Sequence, residues 1–258
     1  MKLESLAKAQ ENYEETLKSI ETIIRKERSY LFEIPCGEDV LILLSGGLDS
    51  VVLVDWVAKK WQCKVHPLFI KRGARAQEYE ERAFHWYCHF YENRLGELWQ
   101  EPIVVEQEIP PKKFKEHISI ERRKNVGLPL RNSTMQNYAV MAAIARNDEW
   151  GTNIRTILSG SVAEDGRCPE LSLLSLRAQT LSTCIQLGQW QWQITSPMLE
   201  PSINEPPMDK RHLIHWAKKE GIPLAQTRSC FSQEDKPCKC CSACEKRKRA
   251  FAAAEDLD

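Results

Sequence analysis

Two short stretches of this chain bring together residue types that do chemistry, and they lie far apart in it. The first is Ser45-Gly46-Gly47-Leu48-Asp49-Ser50. Where such a hexapeptide joins a strand to a helix, its glycines let the backbone turn tightly and present consecutive N–H groups. The helix N-terminus adds partial positive charge. The hydroxyls of Ser45 and Ser50 can donate to phosphate oxygens, and Asp49 can orient Mg²⁺ or the loop itself. Two glycines after a strand could be a tight turn and nothing more, but the whole hexapeptide suits a pyrophosphate group. It is not the Gly-x4-Gly-Lys-Ser/Thr loop of enzymes that cleave a γ-phosphate.

The second stretch is a cysteine cluster. Of ten cysteines, Cys230, Cys238, Cys240, Cys241 and Cys244 fall within 15 residues, while Cys36, Cys63, Cys88, Cys168 and Cys184 are scattered. A chain of this length needs no disulfide staples, and a reducing cytosol would not maintain them. The cluster therefore reads as a metal site. Cys238, Cys241 and Cys244 follow one another at C-x2-C spacing and Cys230 supplies a fourth thiolate, a set that suits a closed, structural, tetrahedral Zn²⁺ site. An iron–sulfur cluster is the alternative, and Cys240 is expected to point away. The following Glu245–Phe251 reads as a helix docked by Phe251, with its basic residues either solvated or facing a ligand.

These groups need elements to hold them. Val40–Leu44 is wholly apolar, as a central parallel strand buried on both faces should be, and Val51–Lys60 suits a buried helix. Further strands are predicted at 64–70, 103–109, 156–160 and 193–197, with helices at 78–98, 136–147, 172–187 and 210–220. Residues 110–130, rich in Lys and Arg with a Pro pair, read as a mobile loop. Strands alternating with helices imply a doubly wound parallel sheet with a ligand crevice at the strands' C-terminal ends. Ahead of it, Leu3, Leu6, Tyr13, Leu17, Ile20, Ile24 and Leu31 mark one narrow apolar stripe on a helix over 3–31. That stripe packs either on the body of the chain or against a partner or second copy. The expected division is 1–34 for this helical extension, 35–225 for the α/β unit and 226–258 for a zinc-binding segment.

Composition narrows the function classes. The 258 residues carry 36 basic and 36 acidic side chains, for a net charge of 0, which argues against general binding to nucleic acid or anionic membrane. With 42% hydrophobic and 8% aromatic residues the chain can bury a core. The best apolar run is interrupted by Ser45, Asp49 and Asp55, and the N-terminus lacks the apolar stretch of a secretory signal. A cytoplasmic globular protein is expected.

Together the two stretches carry a resemblance. The hexapeptide resembles the PP-loop of ATP pyrophosphatases. Paired with Ser-Cys-x7-Cys-x2-Cys-x2-Cys-x2-Arg-x3-Phe, it resembles the 7-cyano-7-deazaguanine synthase (QueC) family over roughly residues 39–252. Pro129-Leu-Arg131-Asn132 is similar to the family's Pro-Ala-Arg-Asn, Gly160-Ser-Val-Ala-Glu164-Asp165 to its Gly-Val-Asn-Ala-Glu-Asp, and Lys210 to its late Lys before a helix. The resemblance implies a PP-loop (HUP-type) α/β fold and cofactors ATP, Mg²⁺ and Zn²⁺. Its implied catalytic residues are Ser45, Asp49 and Lys210; the nucleotide would meet Ser45 to Ser50 (Ser45, Gly46, Gly47, Leu48, Asp49, Ser50), Arg75, Arg131 and Asn132. Glu164, Asp165 and Glu170 would meet the substrate, and Cys230, Cys238, Cys241 and Cys244 the metal. The implied reaction is adenylation of 7-carboxy-7-deazaguanine, then attack by ammonia to give amide and nitrile.

Three departures bear on the acceptor side. After the second strand, Phe69-Ile-Lys-Arg-Gly73-Ala-Arg75 keeps the family's Phe, Gly and Arg but not its Asp or His. The stretch after Glu-Asp is shortened to Gly166-Arg-Cys168-Pro-Glu170, and the N-terminal helix is additional. The alternatives are therefore a QueC-like paralogue of antiphage defence that joins the deazaguanine to a protein amine, a tRNA-modifying PP-loop enzyme, and a non-catalytic nucleotide-binding scaffold. The intact Asp49 and loop serines speak against the last.

Overall fold

Apolar runs of strand length alternate with helices along the chain, and the computed structural model, which describes residues 13–255, turns that alternation into one parallel sheet. Its strands are β1 (Asp39–Leu43), β2 (Lys64–Lys71), β3 (Ile103–Glu106), β4 (Thr156–Leu158) and β5 (Gln193–Thr195). They lie in the order β3-β2-β1-β4-β5, all neighbours parallel. The helices are α1 (Tyr13–Arg28), α2 (Leu48–Trp61), α3 (Gln77–Leu95), α4 (Lys112–His117), α5 (Ile120–Val126), α6 (Arg131–Trp150), α7 (Leu173–Leu187), α8 (Lys210–Glu220) and α9 (Ser242–Ala254). This is the doubly wound α/β architecture that the alternation implies.

The period of two along β1 divides the core. Val40, Ile42 and Leu44 face one apolar layer with Val51, Trp56, Phe84, Tyr87 and Leu213, contributed by α2, α3 and α8. Leu41 faces the other, with Ala139, Val140, Cys184 and Trp192 around α6 and α7. Because β1 is central and the order reverses beside it, the C-terminal ends of β1 and β4 diverge into a crevice. No helix among the described residues is long and apolar enough to cross a membrane.

Residues 110–130 differ from expectation: they form α4 and α5, two short helices, rather than a loop. Ser119 Oγ accepts from the Arg122 N–H at 3.2 Å to start α5, and Lys115 of α4 donates to the carbonyls of Arg72 and Gly73 at 3.1 Å. No residue of α4 is buried, so no apolar period marks it in the sequence. Likewise α6 begins at Arg131 rather than 136, because Leu130 turns the chain with φ +55° and the first turn faces a cavity instead of the core.

The N-terminal helix is present over Tyr13–Arg28; Leu3 and Leu6 lie outside the described residues. Its stripe meets α7. Ile24 is wholly buried, the Leu174 N–H donates to Tyr13 Oη at 3.1 Å, and Glu21 pairs with Arg177 at 3.2 Å. Arg177, itself buried, grips Glu200 with both terminal nitrogens at 2.8 and 2.6 Å. The helix stops at Arg28 because Ser29 takes φ +69° and the Arg28 guanidinium gathers the carbonyls of Tyr30, Leu31, Trp190 and Trp192. Truncating Ile24 to Ala removes a fully buried side chain, with an expected cost of about 2–4 kcal/mol. Urea unfolding tests this as a lowered midpoint at unchanged slope.

Candidate active site and metal centre

The Ser45–Ser50 loop is shaped by what its glycines leave out. Gly46 has φ +72°, and a Cβ there would lie 2.8 Å from the Glu80 carbonyl and 2.9 Å from Phe84 N, so the loop presses on the start of α3. Gly160, just past β4, would place a Cβ 2.8 Å from Ser50 N and 2.9 Å from the Asp49 carbonyl carbon. Only backbone fits on either side of the loop. Within it, Ser50 Oγ donates to the Gly47 carbonyl and accepts from the Ser45 N–H, both at 3.2 Å. The Arg228 N–H donates to the Gly46 carbonyl at 2.9 Å, tying the loop to the C-terminal segment. Gly47 caps α2, whose first N–H groups therefore point into the crevice.

Asp49 stands in the first turn of α2 and Lys210 in the first turn of α8, and they meet at 2.5 Å. Burial raises the Asp49 carboxyl against the pull of Lys210; burial would lower Lys210, but Asp49 and Asp165 outweigh it and hold the ammonium above the usual lysine range. Asp49 Oδ1 is buried with no hydrogen-bond partner. A carboxylate oxygen so placed fits a divalent cation.

A cavity of about 290 Å³ opens above β1, β2 and β4, walled by Ser45, Gly47, Asp49, Ser50, Arg131, Asn132 and Asp165. The structure thus gathers the loop, Arg131–Asn132 and Asp165 around one space. Lys210 reaches Asp49 from a neighbouring hollow. Glu164 lies off the cavity wall, where Oε2 accepts the Lys210 backbone N–H at 3.2 Å. Glu170 also lies off it and holds Asn132, accepting from its N–H and its side-chain amide, both at 3.1 Å. Arg75 is exposed and lines an adjacent groove of about 720 Å³ with Arg72, Lys115, Arg123 and Arg131. Arg72 and Arg131 line both spaces, and Arg72 is held by Glu80 at 2.5 and 3.0 Å.

Arg72, Ser159, Ser161 and Gln136 also line the cavity and were not singled out by motif. Arg72 and Ser159 follow directly on the ends of β2 and β4, the one signal that could have found them. Lys246 was hidden in a basic run; its Nζ stands 3.8 Å from Asp165 Oδ1.

At the other end, the sulfurs of Cys230, Cys238, Cys241 and Cys244 all lie within 4.8 Å of one another. Cys230 Sγ is 3.4 Å from Cys238 Sγ and 4.0 Å from Cys241 Sγ. A single ion with arms of ~2.3 Å in a tetrahedron has sulfur–sulfur edges of ~3.8 Å. A cubane cluster spreads its ligands over several irons and needs a wider set. Burial raises the Cys230 thiol, but hydrogen bonds from Ser232 and the Cys238 N–H outweigh it and bring it down to about 6, favouring the thiolate a metal needs. Cys240 is exposed and outside the set. Cys241 caps α9, whose Arg247 donates to Thr227 Oγ1 at 2.6 Å and the Leu224 carbonyl at 2.8 Å, while Phe251 packs on the core.

Residues 39–255 match the family model described as queuosine biosynthesis protein QueC. The chain belongs to that family. Among its curated relatives, the 7-cyano-7-deazaguanine synthase of Methanosarcina barkeri is 27% identical over 230 residues, covering 83% of this chain and 94% of that protein. The synthase of Nautilia profundicola is 25% identical over 230 residues, covering 83% and 93%. Of solved structures, the U34-tRNA thiolase NcsA from Methanococcus maripaludis with its 4Fe–4S cluster is similar at TM-score 0.41 and 14% identity, over 95% of this chain and 73% of that one. Membership of the QueC family makes the chain a PP-loop enzyme that uses ATP.

Two substitutions test the geometry. Gly160→Ala pushes a methyl group into the backbone of Asp49 and Ser50 and is expected to cost about 1–3 kcal/mol, raising KM for ATP while circular dichroism stays native. Cys241→Ser should lower Tm and metal content together, because a structural metal contributes folding free energy; elemental analysis of the parent protein identifies the metal and that of the purified variant reads its loss.

Proposed function

We propose that the chain activates the carboxylate of 7-carboxy-7-deazaguanine with ATP for attack by ammonia, as a 7-cyano-7-deazaguanine synthase does. The observation that carries the reading is the unpartnered Asp49 Oδ1 beside the loop, with Lys210 on the other oxygen of the same carboxylate. A phosphate chain with Mg²⁺ would give each of these groups a new partner. Zn²⁺ is the ion that best suits the four thiolates, and it would hold the fold of the C-terminal segment rather than take part in the reaction.

The chemistry needs little covalent help from the protein. A carboxylate oxygen attacks the α-phosphorus, the bond to the β-phosphate oxygen breaks, and pyrophosphate leaves with its electron pair. Ammonia then adds to the acyl carbon, AMP departs with the former carboxylate oxygen, and a proton passes to water, leaving the amide. A second adenylation on the amide oxygen releases another pyrophosphate, and loss of AMP and of both amide protons gives the nitrile. The loop's N–H groups and serine hydroxyls hold the leaving pyrophosphate, Lys210 neutralises charge that develops on it, and Arg131 and Asn132 fix the rest of the nucleotide. Mg²⁺ near Asp49 would supply further charge neutralisation.

A second reading is favoured by one observation. The groove beside the cavity, about 720 Å³ and lined by Arg72, Arg75, Lys115, Arg123 and Arg131, is far larger than ammonia requires. An amine carried by a protein would use it, in the manner of a QueC-like defence enzyme. A deazaguanine small molecule is then the substrate in both readings, and the acceptor alone differs.

Incubation with ATP, 7-carboxy-7-deazaguanine and ammonium separates them. AMP and pyrophosphate, never ADP, should accompany turnover, with nitrile as the second product. Asp49→Ala is expected to lower the rate by about 100-fold or more at unchanged metal content in the cysteine site. ADP as the nucleotide product rejects adenylation, and efficient nitrile synthesis rejects a dedicated protein ligase.

A further inference from the structure

Asp49 and Asp165 form a partition with space on both sides. On one side is the nucleotide cavity; on the other is a separate hollow of about 200 Å³ between α2, α8 and α9, reached by Lys210, Lys246, Arg247, Ser229 and Ser242. It is smaller than the nucleotide cavity of about 290 Å³ and is of a size for a small anion with a few waters. Its cations are held differently. Arg247 is fixed by Thr227, the Leu224 carbonyl and the Phe251 ring. Lys210 is spoken for by Asp49, whereas Lys246 is half exposed and bound only loosely, its Nζ 3.8 Å from Asp165 Oδ1. Lys210 Nζ approaches the other oxygen of the same carboxylate at 3.9 Å, so Asp165 stands between the two ammonium groups.

An adenylating reaction sets a problem of traffic. Pyrophosphate must depart while the acyl-adenylate stays in place for the amine. We propose that the hollow behind the Asp49–Lys210 pair is the exit seat for inorganic pyrophosphate, with Lys246 as the cation that draws it there. The inference rests on the adenylation reading. Three cationic groups and two hydroxyls suit a polyanion; the facing carboxylates of Asp49 and Asp165 would repel bare pyrophosphate and accept its magnesium complex. Departure by this side leaves the nucleotide cavity undisturbed. It also gives the metal centre a bearing on turnover, since Ser229 precedes Cys230, and Ser242 and Lys246 flank Cys241 and Cys244.

Lys246→Met and Lys246→Arg test the seat in the full-length protein. Calorimetric titration of the nucleotide-free enzyme with inorganic pyrophosphate and MgCl₂ should show affinity falling about tenfold in the Met variant and staying near the parent value in the Arg variant, the size of effect expected for one lost cation–phosphate contact. In substrate-dependent exchange of labelled pyrophosphate into ATP, the Met variant should raise KM for pyrophosphate more than it lowers kcat, at unchanged zinc content and Tm. Equal pyrophosphate affinity in the parent and the Met variant overturns the seat, whatever the exchange assay shows. Absence of exchange in the parent enzyme overturns the adenylation reading instead, and the titration still decides whether Lys246 holds the anion.

Discussion

The bond between Asp49 and Lys210 joins residues 161 positions apart in the chain. It exists only because the sheet places β1 at its centre and turns back on itself beside it. Both partners stand at helix starts, and both are largely shielded from water, so neither charge is comfortable without the other. They satisfy each other imperfectly: Asp49 keeps one oxygen without a hydrogen-bond partner. The pair thus fixes a lysine and a carboxylate side by side at the mouth of the loop.

Around that pair the fold works by omission. Helix α3 presses on the loop at Gly46, and the strand end after β4 presses on it at Gly160, in each case at a distance that forbids a side chain. The loop is therefore clamped between backbone surfaces rather than by flexible groups, which leaves its N–H donors in fixed directions. Preorganised donors of this kind stabilise developing charge without first having to reorient.

Much of this was legible in the sequence, for identifiable reasons. Val40–Leu44 is apolar on both faces because β1 is covered by helices on both sides, and the cysteine spacings bring four sulfurs within 4.8 Å of one another. What escaped is what carries no period. Helix α4 buries none of its residues and α5 is started by the Ser119 cap, so their charged sequence resembled a loop. Arg72 was passed over for Arg75 because only the path of the chain after β2 decides which of the two faces inward. Glu164 and Glu170 were expected on the substrate; one supports the Lys210 backbone and the other holds Asn132, partnerships that depend on residues 46 and 38 positions away.

The hydrogen bond from the Arg228 N–H to the Gly46 carbonyl has a consequence for the order of events on the ribosome. The hexapeptide leaves the exit tunnel early, with the first strand of the sheet. Its lysine partner and its clamp at Arg228 follow only after every strand has been made. A growing chain that has already paired β1 with β2 therefore carries a loop without its countercharge or its anchor, and a partial product should be unable to spend ATP. Competence arrives late, when the cysteine-rich segment folds and brings Arg228 onto the loop.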